Sequence, residues 1–195
     1  MVTESWERAS KSRGGEIQHM KKLIPYYSYE DQSKAVMTDR KLCEVLRNDL
    51  IKSKVFFSDA VDWMYKNKTD SRHFERLKDD FDILLDEIEI KQNTWDERIP
   101  QEFLERVIVY DWNLMQKAWQ LEKDLDILIK YLQKSVEKSE EEKLPDKIRI
   151  SMDVVHEKVD SITKMFKERE VAFEINNISM RETFNRFRRK ISKSV

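Results

Sequence analysis

Two aspartate–histidine pairs carry side chains of the types that bind metal ions, Asp70 with His73 and Asp153 with His156. Each histidine follows its aspartate by three residues, and residues three apart share one face of a helix. Helical bundles that hold two metal ions use this spacing on two helices and add single carboxylates from the others. We favour a structural interpretation, in which Asp70 caps a helix and His156 flanks the core, because the two pairs lie at different heights of the predicted helices.

A second candidate is the acidic run Asp79-Asp80-Phe81-Asp82, followed one turn later by Asp86. Helical enzymes that transfer prenyl groups use Asp-Asp-x-x-Asp to hold magnesium on a diphosphate. Here Ile83 stands where the third acid is needed. Asp79, Asp82 and Asp86 point away from the apolar stripe of their predicted helix, which indicates an ordinary solvated face.

Other catalytic patterns are absent from the sequence. The chain of 195 residues has one cysteine, Cys43, and two adjacent glycines, Gly14 and Gly15. It contains no Gly-x-Ser-x-Gly motif and no glycine-rich phosphate loop. We therefore predict a protein that is not an enzyme and that needs no cofactor.

Charged and polar residues interrupt the apolar stripes of the predicted helices. Asp49, Asp111 and Glu122 lie in such stripes, where an acid is costly unless it is paired. Arg169 and Asn176 interrupt the stripe of the last helix and are candidate partners. Buried polar groups in bundles commonly fix helix register or oligomeric state. The alternatives are acids at the wet ends of the bundle, or a catalytic role.

The elements that position these residues are predicted to be helices. Glycine and proline together number five, too few for a fold of many strands. The apolar periodicity predicts four helices, over 29–67, 71–93, 100–138 and 146–192. The third has the most regular stripe, with spacings of three and four from Leu104 to Leu132.

Short connections between these helices predict an all-α fold, an antiparallel bundle of three to four long helices with coiled-coil-like packing. Residues 29–192 are predicted to form a single domain. Residues 1–28 read as a flexible tail because no helical period emerges before Pro25, although the aromatic cluster Pro25-Tyr26-Tyr27-Ser28-Tyr29 is expected to pack on the protein. Ser28 and Asp31 resemble a capping box for the first helix.

The last predicted helix is longer than its neighbours and ends in a basic segment. Residues 181–195 hold six basic residues and one acid. Apolar residues share one face of this segment and basic residues cover the other, which is typical of helices that bind anionic membranes, acidic proteins or nucleic acids. The alternative is an ordinary helix end, where cations complement the dipole. The candidate interaction residues are Phe184, Arg186, Phe187, Arg188, Arg189, Lys190 and Ile191.

Charge and hydropathy set the expected function classes. The net charge is −1, so no overall basic field attracts nucleic acid, and no apolar run approaches the length of a membrane span. We expect a non-enzymatic, cytoplasmic interaction or assembly protein that binds protein partners and self-associates. The alternatives are a module that binds anionic membrane or nucleic acid through the C-terminal segment, and a four-helix bundle that binds a metal or cofactor.

Overall fold

The computed structural model describes residues 2–66, 72–88, 101–136 and 144–191, and these residues form helices with no strand among them. The all-α prediction is confirmed. The described ranges contain six helices: α1 (Val2–Ser12), α2 (Gly14–Leu23), α3 (Gln32–Lys66), α4 (Arg72–Glu87), α5 (Gln101–Val136) and α6 (Leu144–Ile191). The last four begin within three residues of the predicted starts. Helix α4 ends at Glu87, before the predicted end at 93.

The prediction of a flexible N-terminal tail is wrong, because residues 2–23 form α1 and α2. Trp6 and Ala9 on α1 are buried, as are Ile17 and Met20 on α2 and Ile24 just after it. These residues are spaced by three or four within each short helix, so each helix has one apolar face. The polar stretch around the two glycines hides this period, yet it interrupts the helix only at Arg13.

Helix α3 begins at a different cap from the one predicted. The Lys34 backbone N–H donates to Asp31 Oδ1 at 2.8 Å, so Asp31 caps the helix. Ser28 instead bonds to Thr38, because its N–H donates to the Thr38 hydroxyl and that hydroxyl donates to its carbonyl, both at 3.0 Å. These bonds hold the segment between α2 and α3 against the first turns of α3.

The chain divides into two compact units, whereas one domain was predicted over 29–192. Unit 1 contains the described residues of 2–42, 101–112 and 167–191, and unit 2 contains those of 43–88 and 113–166. Helices α3, α5 and α6 each contribute residues to both units.

Unit 2 has an apolar core. The predicted stripe of α5 is buried there from Leu114 through Leu121 to Leu132, and Val155 and Phe166 delimit the buried stripe of α6. Each such leucine contributes about 1.5–3 kcal/mol through burial. On α3, Phe57 stacks on Phe74 of α4, with ring centroids 5.6 Å apart, and Phe81 lies 5.9 Å away.

Polar contacts give the direction of neighbouring helices in unit 2. An Arg47 guanidinium nitrogen donates to the Leu85 carbonyl at 2.7 Å, and the Tyr65 hydroxyl donates to Glu75. Because the numbers rise along α3 while they fall along α4, these two helices are antiparallel. Helices α5 and α6 are antiparallel by the same reasoning, from the two contacts between them that are described with the surface of unit 2 below.

Candidate functional site

A buried arginine lies at the centre of unit 1. The Arg169 side chain on α6 has no solvent exposure. Its Nε donates to Asp111 Oδ1 on α5 at 2.7 Å, and its Nη2 donates to Asp39 Oδ1 on α3 at 2.5 Å. A guanidinium stays charged in proteins, so its burial requires such carboxylate partners. The two ion pairs join three helices through one side chain.

Two tyrosines complete this cluster from the segment between α2 and α3. The hydroxyls of Tyr27 and Tyr29 both donate to Asp111 Oδ2, at 2.8 and 2.5 Å. Arg169 Nη2 lies 3.3 Å from the Tyr29 hydroxyl and donates to it. We call Tyr27, Tyr29, Asp39, Asp111 and Arg169 the arginine network.

Burial sets the protonation of the network. It raises the pKa of the Asp111 carboxyl above its ordinary value, although the Arg169 charge and the hydrogen bonds from the network act in the opposite direction. Burial also raises the pKa of Tyr27 and of Tyr29 well above the usual value, and the negative charge of Asp111 adds to this rise. Both hydroxyls therefore keep their protons at neutral pH and remain donors to Asp111.

Aromatic contacts hold the N-terminal segment around the network. The rings of Trp6 on α1 and Tyr29 meet edge to face with centroids 6.1 Å apart, and Tyr27 and Tyr29 do so at 5.4 Å. On α2, His19 stacks on Trp112 of α5 at 4.8 Å. The arginine network is thus held in place by side chains of α3, α5 and α6 and by the N-terminal segment that packs beside it.

The network has the composition of a structural element. Its donors and acceptors are directed at one another, and it contains no nucleophilic thiol or imidazole. Across residues 2–66, 72–88, 101–136 and 144–191, no group of three or more His, Cys, Asp or Glu side chains is placed to hold a metal ion. The chemistry that the geometry supports is the fixing of helix register and the docking of the N-terminal segment.

Of the predicted stripe residues, the structure brings together Asp111 and Arg169. Asp49 is partly exposed beside Lys52, at 3.4 Å. The burial predicted for Glu122 is wrong: its side chain is exposed, because the stripe passes through the preceding residue, Leu121. The side chain of Asn176 lies outside the described part of the chain.

Sequence reasoning missed Asp39, Tyr27 and Tyr29. Asp39 follows Ala35 by four residues and precedes Leu42 by three, which places it within the buried stripe of α3. That spacing was a usable signal. The aromatic cluster was expected to pack on the protein, but the sequence contains no sign that its hydroxyls reach Asp111.

Of the aspartate–histidine candidates, the structure describes the side chains of Asp153 and His156 on α6. His156 Nδ1 lies 3.1 Å from Asp80 Oδ2 on α4, and its Nε2 lies 3.6 Å from Asp160. Asp153 is exposed. Asp70 and the His73 side chain lie outside the described residues. His156 therefore links α6 to an acid of the run on α4, and Asp82 of that run bonds to Lys54 on α3.

The candidate interaction residues of the C-terminal segment are a separate case. Helix α6 extends to Ile191. The side chains of Phe184, Arg186, Phe187, Arg188, Arg189, Lys190 and Ile191 lie outside the described residues, so their predicted role stays a prediction.

Unit 2 exposes an apolar surface between α5 and α6. Lys158 Nζ lies 3.7 Å from Asp124 Oδ2, and Lys147 Nζ lies 5.9 Å from the centroid of the Tyr131 ring. Between these two contacts, the exposed fractions are 45% for Ile127, 56% for Ile150 and 39% for Val154. We call the surface formed by these seven residues the α5–α6 face.

Comparisons with known proteins found no match to this chain among protein-family models, curated proteins or solved structures. Within the described ranges, no helix carries an apolar stretch of the length that a membrane crossing requires.

Proposed function

We propose that this chain is a non-enzymatic assembly protein that self-associates, built as an antiparallel bundle in which α3 to α6 are the long elements. The observation that carries this proposal is the exposed apolar surface of the α5–α6 face. Exposed apolar residues that occur singly are ordinary, whereas contiguous ones mark sites of association. Here, three branched side chains lie between two interhelical contacts on neighbouring helices.

The position of these side chains supports association. Ile127 is one turn from both Asp124 and Tyr131 along α5, and Val154 follows Ile150 by one turn on α6. The two contacts place Ile127 of α5 at the same height as Ile150 and Val154 of α6, within about one turn. Burial of apolar surface on association contributes about 25 cal/mol per Å² before the cost of lost freedom.

The arginine network supports a structural role for unit 1. It fixes Asp39, Asp111 and Arg169 against one another through direct bonds of 2.5 and 2.7 Å. A protein that presents binding surfaces benefits from helices held in one register, because a rigid surface loses less freedom when it binds.

Sedimentation equilibrium over a wide concentration range tests self-association. We expect the average mass of the wild-type chain to rise above its single-chain value of 23.7 kDa as concentration increases. Ile150→Glu should reduce this rise, because it places a charge in the apolar surface. The matched control is Ile83→Glu on α4, which replaces an isoleucine of similar exposure, 53%, outside this surface.

Two results would contradict the proposal or its carrying observation. A wild-type mass that stays at the single-chain value at every concentration excludes self-association. Equal losses for Ile150→Glu and Ile83→Glu would show that association does not depend on the α5–α6 face.

A further inference from the structure

Two exposed rows of side chains border the α5–α6 face, and they carry opposite charge. On α5, the row is Lys123, Ile127, Lys130 and Lys134, which we call the lysine row. On α6, the row is Asp146, Ile150, Asp153 and Glu157, which we call the acidic row. Both rows have spacings of four, three and four, so each forms one stripe along its helix.

The two contacts that cross the face set the relative height of these rows. Asp124 lies opposite Lys158, and Tyr131 lies opposite Lys147. In this antiparallel register, Lys123 is level with Glu157 and Lys134 is level with Asp146. Lys123 and Lys134 therefore have acids at matching heights in the acidic row, on the opposite border of the same face, and Lys130 lies within about one turn of Asp153.

The self-association proposed above is the basis of a more specific inference. We infer that the α5–α6 face binds a second copy of this chain, with a two-fold axis that runs parallel to the helices. Such an axis places α5 of each copy against α6 of the other copy at unchanged height. The lysine row of each copy then meets the acidic row of its partner, and the interface is isologous.

Charge complementarity also selects between the two possible axes. An axis perpendicular to the helices would place α5 against α5 and α6 against α6. Lysine rows would then face lysine rows and acidic rows would face acidic rows, and like charges placed opposite one another oppose association. The parallel axis also brings Ile127 of one copy within about one turn of Ile150 of the other, since their heights differ by about three residues.

Ion pairs that residues of the two rows form within their own helices do not prevent this arrangement. Lys130 bonds to Asp126 at 2.5 Å, and Asp146 lies 3.6 Å from Arg149. Both are exposed pairs within one helix, and such pairs contribute little to stability. Their side chains can exchange partners when a second copy arrives.

Reciprocal charge reversal tests this inference by sedimentation equilibrium. Lys123→Glu with Lys134→Glu makes the net charge of both rows negative, and Asp146→Lys with Glu157→Lys makes the net charge of both rows positive, since Lys130 and Asp153 are kept. Each double variant alone should self-associate at least about tenfold more weakly than the wild type, because like charges then face each other. An equimolar mixture of the two double variants should recover a dimer, because the two negative rows of one variant then face the two positive rows of the other.

A pair of double variants on α3 controls for bulk attraction between oppositely charged chains. Lys52→Glu with Lys66→Glu, and Asp59→Lys with Asp62→Lys, make the same charge changes at exposed positions away from the α5–α6 face. Each α3 variant alone should associate like the wild type, and mixing the two should add nothing.

The outcomes separate this inference from the self-association on which it rests. If the wild type associates but the α5 and α6 variants behave like it, self-association stands and this interface is wrong. If those variants fail to associate and their mixture also fails, the face is involved but the two-fold pairing is wrong. A wild-type chain that never exceeds its single-chain mass overturns both.

Discussion

Units 1 and 2 both bury apolar residues, but every buried charged side chain among the described residues lies in unit 1. Unit 1 encloses an arginine held by two aspartates and supported by two tyrosines, whereas the core of unit 2 consists of buried leucines of α5 with buried aliphatic and aromatic residues of its other helices. Directional bonds between charged groups require one geometry, and apolar packing tolerates small adjustments. Unit 1 should therefore respond to changes of charge or of a single hydroxyl, and unit 2 to changes of volume.

The largest effect is expected from Arg169→Met. This change removes the cation that Asp39 and Asp111 share and leaves both carboxylates buried. We expect it to lower the free energy of unfolding by about 3–5 kcal/mol in urea titrations. The matched control is Arg149→Met on the same helix, at a largely exposed arginine. Equal losses for the two variants would show that the network does not stabilise unit 1.

Leu121→Ala tests the apolar half of the comparison. Leu121 on α5 is fully buried in unit 2. Its truncation leaves a cavity and should lower the free energy of unfolding by about 2–5 kcal/mol. Gln120→Ala, at the exposed neighbouring position, should change it by less than about 0.5 kcal/mol. Similar losses from both variants would mean that the stripe of α5 has been assigned wrongly.

Two tyrosine hydroxyls, one buried and one exposed, each donate a hydrogen bond to a carboxylate, so their removal compares the same bond in the two environments. Tyr29 donates to Asp111 inside unit 1, and Tyr65 donates to Glu75 on the surface of unit 2. Tyr29→Phe should cost about 1.5–3 kcal/mol, as expected for a buried bond to a charged group. Tyr65→Phe should cost less than about 1 kcal/mol, because solvent replaces the lost bond. A larger loss for Tyr65→Phe in thermal or urea unfolding would reverse this account.

The smallest expected effect is a pH dependence that belongs to unit 1. Burial raises the pKa of Asp111 in the folded state, so between its unfolded and folded pKa values the folded chain binds more protons than the unfolded chain. Stability from this group therefore increases as pH falls through the folded pKa, and it is lost as pH rises. As the pH falls, the free energy of unfolding of the wild type should therefore rise relative to that of the Asp111→Asn variant. If the free energy of unfolding of the wild type instead fell relative to that of the variant, the pKa of Asp111 would be lowered by folding, contrary to this account.

Regular periodicity explains which parts of the fold were predictable. The spacing from Leu104 to Leu132 predicts α5 and its buried stripe, and both agree with the structure. Helices α1 and α2 were missed because each has only one or two turns of apolar spacing, and their stability comes from packing. Their contacts, such as Trp6 with Tyr29, join residues that are distant in sequence.

The network was predictable only in part. Arg169 and Asp111 stand out because each is a charge within an apolar stripe, and that pattern indicates a buried pair. Their partner Asp39 has the same pattern in α3. The tyrosines lie in the segment between α2 and α3, which has no helical period, so only the three-dimensional packing shows that their hydroxyls reach Asp111.

Disulfide trapping of the dimer tests most directly where two copies meet. Chains with Lys123→Cys and chains with Glu157→Cys are mixed, oxidised mildly and separated by denaturing electrophoresis without reductant. The native Cys43 is buried, and either variant alone controls for its reaction. We predict a disulfide-linked dimer in the mixture and little in either variant alone, because the two-fold axis brings position 123 of one copy to position 157 of the other. Equal cross-linking in the single variants, or none in the mixture of a chain that sediments as a dimer, would contradict the proposed interface.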